Sequence, residues 1–187
     1  GVYAGGIFAN LQIESGLKDG VARFILKNSS LLANSGGDVG GIEIASYAGL
    51  TGYIENSTIS GNSGDYAGGL SGSFEIYNST IYNNSSISGY GGISSLNTTF
   101  HNSILAGNGV DCQHVYSGGY NLFSEFNGCA VDLQPGDQRV ADPGLGLLEG
   151  NPAYHYLLPS SPAIDAGNPT GCLDHTGAVL DADQRGL

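Results

Sequence analysis

The side chains that could perform chemistry in this chain are carboxylates, a few cations and four histidines. In the recurring units between positions 28 and 108 the acids stand singly, at Asp38, Glu43, Glu55, Asp65 and Glu75. Elimination on an acidic polysaccharide needs Ca²⁺-binding acids beside a Lys or Arg base, and glycosidic hydrolysis needs paired carboxylates. No Lys or Arg occurs between Lys27 and Arg139. An elimination site would therefore lack its base over most of the repeats.

Glu55 and Glu75 both lie close to a recurring Asn motif, so they could share one outer face. We expect them to be solvated charges that oppose lateral aggregation, and a shared catalytic face is the alternative. The four histidines, His101, His114, His155 and His175, are dispersed and have no Ser or Cys partner in a nucleophile motif. We therefore expect structural roles for them and no catalytic residue.

Near the C-terminus, Asp174, Asp181 and Asp183 form an acidic group that could ligate Ca²⁺. Their spacing is neither that of an EF-hand nor that of the nonapeptide Ca²⁺ repeats. The chain is therefore expected to need no cofactor, with Ca²⁺ at this group as the alternative.

A repeat must position these side chains. The motif Asn-Ser, with an aliphatic residue three positions after the Asn and a second Asn six positions after it, occurs four times, starting at Asn28, Asn56, Asn78 and Asn102. A Gly pair followed by an aliphatic residue alternates with it, at Gly5, Gly40, Gly68 and Gly91. Successive Asn anchors are 28, 22 and 24 residues apart. Units this short cannot bury their own apolar faces, so they must stack as a solenoid.

Each unit contains short runs of alternating polarity separated by Gly, Asn, Ser or Asp, and no long segment has helical periodicity. The pattern predicts an all-β parallel β-helix with about three strands per coil. Residues 1–110 are expected to form coils, and residues 111–187 an irregular C-terminal region that continues or caps them. Equivalent strands would pair in parallel at about 4.8 Å.

Stacking in register predicts two interior columns, Leu31 with Ile59, Ile81 and Leu105, and Leu26 with Ile54, Ile76 and Phe100. The first Asn of each motif, at Asn28, Asn56, Asn78 and Asn102, tolerates the left-handed backbone of a tight bend. Its amide can hydrogen bond to the Asn above and below. We therefore predict an Asn ladder at these four positions.

Three cysteines, Cys112, Cys129 and Cys172, lie late in the chain. A bond between Cys112 and Cys129 would stabilise by about 3 kcal/mol through loop closure, and it would indicate an oxidising compartment. Three buried thiols are the alternative. With the predicted bond, Cys172 would be unpaired or would link to another molecule. Six glycosylation sequons also occur, of which Asn83, Asn84 and Asn97 lie nearer turns and are the expected acceptors.

The formal net charge of −12 argues against nucleic acid or an anionic membrane surface as a partner. No apolar run has the length of a membrane span, so membrane insertion is not expected. Tyrosine is more frequent than phenylalanine, and six tyrosines between positions 47 and 90 fall mostly at turns or outward positions. Such a surface suits contact with a sugar or a protein.

The repeats resemble those of bacterial surface proteins with right-handed parallel β-helices, including the chlamydial polymorphic outer membrane proteins. The later part of the chain is similar to the choice-of-anchor Q family. The motifs that carry this second resemblance are Asp111-Cys112, Gly119 to Leu122, Gly128-Cys129, Ala141 to Pro143, Leu157 to Gly167 and Asp183 to Gly186. The resemblance implies a right-handed helix and a secreted or surface-displayed protein, typically without established catalytic activity.

We therefore expect an extracellular or cell-surface structural or adhesive protein. The alternative is a polysaccharide-binding or polysaccharide-degrading protein similar to pectate lyases. The repeat begins almost at residue 1, with no visible cap before Gly5. Open strand edges template further pairing. Head-to-tail stacking of Gly1 to Glu14 onto the end of another copy, giving a filament, is therefore a further expectation.

Overall fold

The computed structural model describes residues 6–9, 23–44, 50–95, 97–125 and 129–187. Within these ranges the protein is all-β and has no helix, so none of these residues lies in a helix long and apolar enough to cross a membrane. The described residues form nineteen strands: β1 (Ile7–Ala9), β2 (Arg23–Lys27), β3 (Ser30–Leu32), β4 (Ile42–Ile44), β5 (Thr51–Glu55), β6 (Thr58–Ser60), β7 (Ser63–Gly64), β8 (Leu70–Ser71), β9 (Phe74–Tyr77), β10 (Thr80–Tyr82), β11 (Ser85–Ser86), β12 (Ile93–Ser94), β13 (Thr99–His101), β14 (Ile104–Ala106), β15 (Tyr116–Ser117), β16 (Leu122–Ser124), β17 (Gln138–Val140), β18 (Leu145–Gly150) and β19 (Ala153–Leu157).

Three parallel sheets of four to six strands take strands from successive repeats, and β7 and β11 form a further short parallel pair. Sheet A has the order β1-β4-β8-β12, sheet B the order β2-β5-β9-β13-β15, and sheet C the order β3-β6-β10-β14-β16-β17. Each central repeat gives one strand to each sheet, as β8, β9 and β10 do. Parallel pairing in sheets B and C continues beyond residue 110, as far as Val140 in sheet C. An antiparallel hairpin of β18 and β19 follows.

Both predicted aliphatic columns are confirmed. Ile59 pairs with Leu31 on one side and Ile81 on the other, and Ile81 pairs with Leu105. The second column pairs Leu26 with Ile54, Ile54 with Ile76, and Ile76 with Phe100. The central members of both columns are fully buried, and Leu26 and Leu31 pack against them at one end. The core therefore lies between the three sheets, and the same repeat positions fill it in every unit.

The Gly pairs at Gly40, Gly68 and Gly91 lie where neighbouring repeats approach closely. Gly41 N donates to Gly68 O at 3.0 Å, and Gly69 N donates to Gly91 O at 2.9 Å. A Cβ atom on Gly68 would lie 2.5 Å from both the N and the O of Ser85. No side chain fits there without moving the backbone of the next unit, which explains the spacing of the Gly pairs.

The second Asn of each motif forms an unbroken interior ladder. Asn34 Nδ2 donates to Asn62 Oδ1, Asn62 Nδ2 to Asn84 Oδ1, and Asn84 Nδ2 to Asn108 Oδ1, each at 2.9 Å. Each acceptor oxygen also receives the backbone N–H of the Asn that donates to it. Asp111 ends the ladder, and its Oδ1 accepts from Asn108 Nδ2 at 2.9 Å. The ladder satisfies amides that would otherwise be buried without partners.

The first Asn of each motif has the predicted left-handed backbone, with φ of 47°, 49°, 48° and 51° at Asn28, Asn56, Asn78 and Asn102. Their amides bond in pairs. Asn56 Nδ2 donates to Asn28 Oδ1 at 2.8 Å, and Asn102 Nδ2 donates to Asn78 Oδ1 at 2.7 Å. Between the pairs, Asn78 Nδ2 donates to the backbone oxygen of Leu173 and not to Asn56, while Asn56 Nδ2 donates to Ala182 O in addition to Asn28 Oδ1. The C-terminal segment therefore takes the place of the middle rung.

Asp111 is fully buried, and burial raises its carboxyl pKa although the hydrogen bonds from Ser124 and Asn108 oppose the shift. Since the folded-state pKa is raised, its stabilising contribution is complete below the unfolded pKa of about 4 and is lost as the pH rises through the folded pKa. Asp111→Asn should therefore increase the melting temperature at neutral pH. The gain should shrink as the pH falls through the raised folded pKa and should be absent below about 4, and thermal melts across the pH range test this. An equal gain at every pH would contradict the burial argument.

Candidate functional site

The cysteines and the sequons are placed as follows. Cys112 and Cys129 form the expected disulfide, and Cys172 is a free, exposed thiol. Asn83 and Asn97 are exposed. Asn84 is only 2% exposed, and its Nδ2 donates to Asn108 Oδ1 and to Ile59 O. The expectation of a glycan at Asn84 was therefore wrong, because its amide is a rung of the interior ladder.

A column of chemically active side chains crosses the outer face of sheet B. In register, Lys27 on β2 pairs with Glu55 on β5, Glu55 with Tyr77 on β9, and Tyr77 with His101 on β13. Alternation along each strand turns these side chains away from the core, because Ile54, Ile76 and Phe100 beside them point inward. The repeat therefore brings a cation, a carboxylate, a phenol and an imidazole into one line.

The C-terminal segment, residues 172–187, returns over this face. His175 Nδ1 contacts Glu55 Oε1, and the backbone N–H of His175 donates to the same oxygen at 3.1 Å. The His175 ring lies 4.5 Å from the Tyr53 ring. Thr58 Oγ1 donates to Gln184 Oε1 at 2.8 Å. The segment is thus fastened to successive strands of sheets B and C by side-chain contacts.

Covering by this segment makes Glu55 a buried carboxylate, only 1% exposed. The expectation that Glu55 is a solvated charge was therefore wrong. Lys27 Nζ lies 2.6 Å from Glu55 Oε2 and 3.5 Å from Asp174 Oδ2. The hydrogen bond from Lys27 to Glu55 is the main cause of a raised Lys27 pKa. The buried charge is paired, as burial requires.

Asp174 belongs to this cluster rather than to the expected acidic triplet. Its Oδ1 accepts from Thr176 Oγ1 at 2.6 Å and from the backbone N–H groups of Thr176 and Ala178, and the Thr176 hydroxyl is the main cause of a lowered Asp174 pKa. Asp183 forms an ion pair with Arg185, whose Nε donates to Asp183 Oδ2 at 2.6 Å. The structure therefore does not bring Asp174, Asp181 and Asp183 together as a Ca²⁺ site.

A different donor set is assembled instead. One ligand-type atom from each of Glu55, Asp174 and His175 lies within 4.8 Å of the others, and among the described residues this is the one group of three or more such side chains. This group could not be recognised from the sequence, because Glu55 is separated from its partners by about 120 residues. Two adjacent donors at Asp174-His175 were the available signal.

Farther along the column, His101 and Glu75 form a second pair. His101 stacks on Tyr77 with ring centroids 4.4 Å apart, and its Nε2 lies 3.1 Å from Glu75 Oε2. Burial, followed by the charge of Glu75, raises the Tyr77 pKa to about 12. Tyr77 therefore stays a neutral phenol at physiological pH. Because Tyr77 and His101 cover one another's faces, they do not form an open stacking platform for a sugar.

A polar groove lies between the outer face of sheet C and the hairpin of β18 and β19. Its wall includes Asn56, Thr80, Tyr156, Asp183 and Arg185. The Arg185 guanidinium lies 5.1 Å from the centre of the Tyr154 ring, and Tyr156 is 39% exposed. Amide, hydroxyl and aromatic groups in one groove can contact a polar ligand such as a saccharide.

Comparisons with known proteins give no relative for this arrangement: no family model, no curated protein and no solved structure matches the chain.

Proposed function

We propose that the three parallel sheets are the faces of a right-handed parallel β-helix that serves as an extracellular structural or adhesive protein. The observation that carries the proposal is that the recurring residues of the repeat stack in register. Ile59 and Ile81 fill the core, and Asn62 and Asn84 bond to one another inside it. The repeat is used to build a continuous stack, and the outward positions differ from one unit to the next.

Interior polar ladders support a rigid stack. Besides the Asn ladder, Ser29 N donates to Ser57 Oγ, Ser57 N to Ser79 Oγ, and Ser79 N to Ser103 Oγ, at 3.0–3.1 Å. Satisfied buried networks stiffen a core, because breaking one bond leaves its partners without water. Such a stack would hold its outer face in a fixed geometry, as a surface protein that contacts cells or polysaccharides requires.

The motifs that resemble the choice-of-anchor Q family also have structural roles here. Asp111 ends the Asn ladder, and Asn121 Oδ1 accepts from Ser103 N at 2.9 Å. Ser161 Oγ donates to Pro143 O at 2.6 Å, and Asp183 binds Arg185. These contacts give the motif residues structural roles, and membership of such a family of surface proteins is part of the proposal. The bond between Cys112 and Cys129 supports an extracytoplasmic location.

Adherence without turnover tests the proposal. Purified, untagged protein is incubated with intact cells and with neutral and acidic polysaccharides, while bound protein and newly formed reducing or unsaturated ends are measured together. The proposal expects saturable binding to at least one surface and no new ends. Turnover that is lost in Glu55→Gln or Glu75→Gln would replace it with an enzymatic function. If the protein binds saturably to none of these surfaces, the adhesive role is contradicted.

The head-to-tail filament remains a separate proposal. It concerned Gly1 to Glu14, of which residues 1–5 and 10–14 lie outside the described ranges. Parallel sheets built from stacked units can continue into another copy if their edge strands are free to pair. Light scattering over a range of concentrations, with electron microscopy, tests this. Filaments that lengthen with concentration support it, and a monodisperse monomer at all concentrations refutes it.

The groove beside Tyr156 favours a second candidate, a saccharide-binding function. If a sugar stacks there, Tyr156→Ala should weaken its binding roughly three- to tenfold, the value of one aromatic contact. The matched control is Tyr66→Ala, because Tyr66 is 52% exposed and does not line the groove. Titration calorimetry with the oligosaccharides that bind in the adherence assay measures both. Equal losses in the two variants would remove the groove from consideration.

A further inference from the structure

The cluster of Glu55, Asp174 and His175 has the chemistry of a metal site. Glu55 comes from the outer face of β5, and the other two come from the C-terminal segment. Their side chains are 1%, 13% and 11% exposed, respectively. Glu55 is therefore buried, and Asp174 and His175 are partly buried. A buried carboxylate beside a second, partly buried one needs a cation that compensates their charges.

We propose that Glu55, Asp174 and His175 bind a divalent transition-metal ion, zinc being the best match. Two carboxylate oxygens and one imidazole nitrogen are three protein ligands that suit Zn²⁺ and leave a fourth position for water or another ligand. Ca²⁺ prefers six to eight oxygen ligands, which this donor set does not supply. Asp174 is oriented by the bonds that its Oδ1 accepts from Thr176 and Ala178, so its Oδ2 faces the cluster.

Lys27 holds the position of the cation when no metal is bound. Its Nζ lies within 4 Å of both carboxylates, at 2.6 Å from Glu55 and 3.5 Å from Asp174. The Lys27 side chain is 42% exposed, so it can turn into solvent when a divalent ion enters. One ammonium charge is replaced by two metal charges. Metal binding and the Lys27 ion pairs are therefore in competition.

The ion would join two parts of the chain that are far apart in sequence. Glu55 lies in the central repeats, whereas Asp174 and His175 begin the C-terminal segment. Two further contacts hold that segment against the central repeats: Asn78 Nδ2 donates to Leu173 O, and Thr58 Oγ1 donates to Gln184 Oε1. Binding should therefore protect residues 172–187 from hydrogen exchange, which a free surface site would not do.

The test is titration calorimetry of ZnCl₂, and separately CaCl₂ and MgCl₂, into untagged protein that has been stripped with EDTA. A Cys172→Ser background removes the nearby exposed thiol as a competing zinc ligand. We expect one zinc site and no comparable calcium or magnesium site. His175→Ala and Asp174→Asn should each weaken zinc binding by about 100-fold. Lys27→Met should strengthen it by about tenfold by removing the competing cation.

His101→Ala is the matched control, because His101 also pairs with a glutamate on the same face but has no third donor. Its zinc affinity should equal that of the unmodified protein. Hydrogen exchange of residues 172–187 should slow on adding zinc, and this change should be lost in His175→Ala. The proposal is overturned if stoichiometric zinc binding survives in His175→Ala. It is also overturned if neither the unmodified protein nor Lys27→Met binds zinc. In both cases the cluster is a set of ion pairs that attaches the C-terminal segment to the sheet.

Discussion

Replacing Asn84 by alanine is expected to destabilise the protein by roughly 3 to 6 kcal/mol, because several buried polar groups lose their partners at about 1–3 kcal/mol each. Asn84 Oδ1 accepts from both the backbone N–H and the Nδ2 of Asn62, at 3.0 and 2.9 Å. Its Nδ2 donates to Ile59 O and Asn108 Oδ1. Alanine removes these bonds at a core position that is 2% exposed. Asn108 Oδ1 keeps only the backbone N–H of residue 84, and Asn62 Nδ2 keeps only Leu31 O.

Urea unfolding followed by circular dichroism measures the loss, using protein from a host that does not glycosylate. Asn97→Ala is the matched control, since Asn97 is an exposed sequon asparagine and its change should stay within about 0.5 kcal/mol. If the two variants unfold at the same urea concentration, the interior Asn ladder does not exist as described.

Truncation of Ile59 to alanine is expected to cost about 2 to 5 kcal/mol, the usual range for a cavity in a packed core. Ile59 is fully buried and pairs with Leu31 on one side and Ile81 on the other, so neither neighbour can close the gap without breaking register. The same urea titration measures it. Ile87→Ala is the control, because Ile87 is 84% exposed and should change stability by no more than about 0.5 kcal/mol. A small effect at Ile59 would mean that the columns are not packed.

The parts of the fold that repeat were predictable from sequence. Stacked units place equivalent positions in register, so the column of Ile54, Ile76 and Phe100 follows from spacing alone. A one-residue slip would turn the whole set outward, which ties register to the pattern. The recurrence of the Gly pairs was visible in the sequence, and the structure gives its reason: the pairs at Gly40, Gly68 and Gly91 lie where the next unit leaves no room for a side chain.

The direction of each Asn side chain could not be predicted from the same spacing. Both Asn residues of a motif recur with the repeat, and we predicted the ladder at the first. The unbroken ladder runs through the second, from Asn34 to Asn108, while the first series is interrupted at Asn56 and Asn78. The bend between two strands determines which amide points inward. The spacing of the repeat does not indicate the geometry of that bend.

The candidate site was beyond sequence reasoning for a different reason. Residues 172–187 belong to no repeat, so no register predicts where they pack. Glu55 looks like an exposed strand residue until His175 and Asp174 lie over it. A contact spanning 120 residues through a single copy of a segment has no periodic signal.

The most direct test of the account is a crystal structure of the chain. We expect right-handed winding, with Ile59 between Leu31 and Ile81, and Asn84 bonded to both Asn62 and Asn108. Left-handed winding, antiparallel pairing between β6 and β10, or a register shifted by one residue would each contradict it.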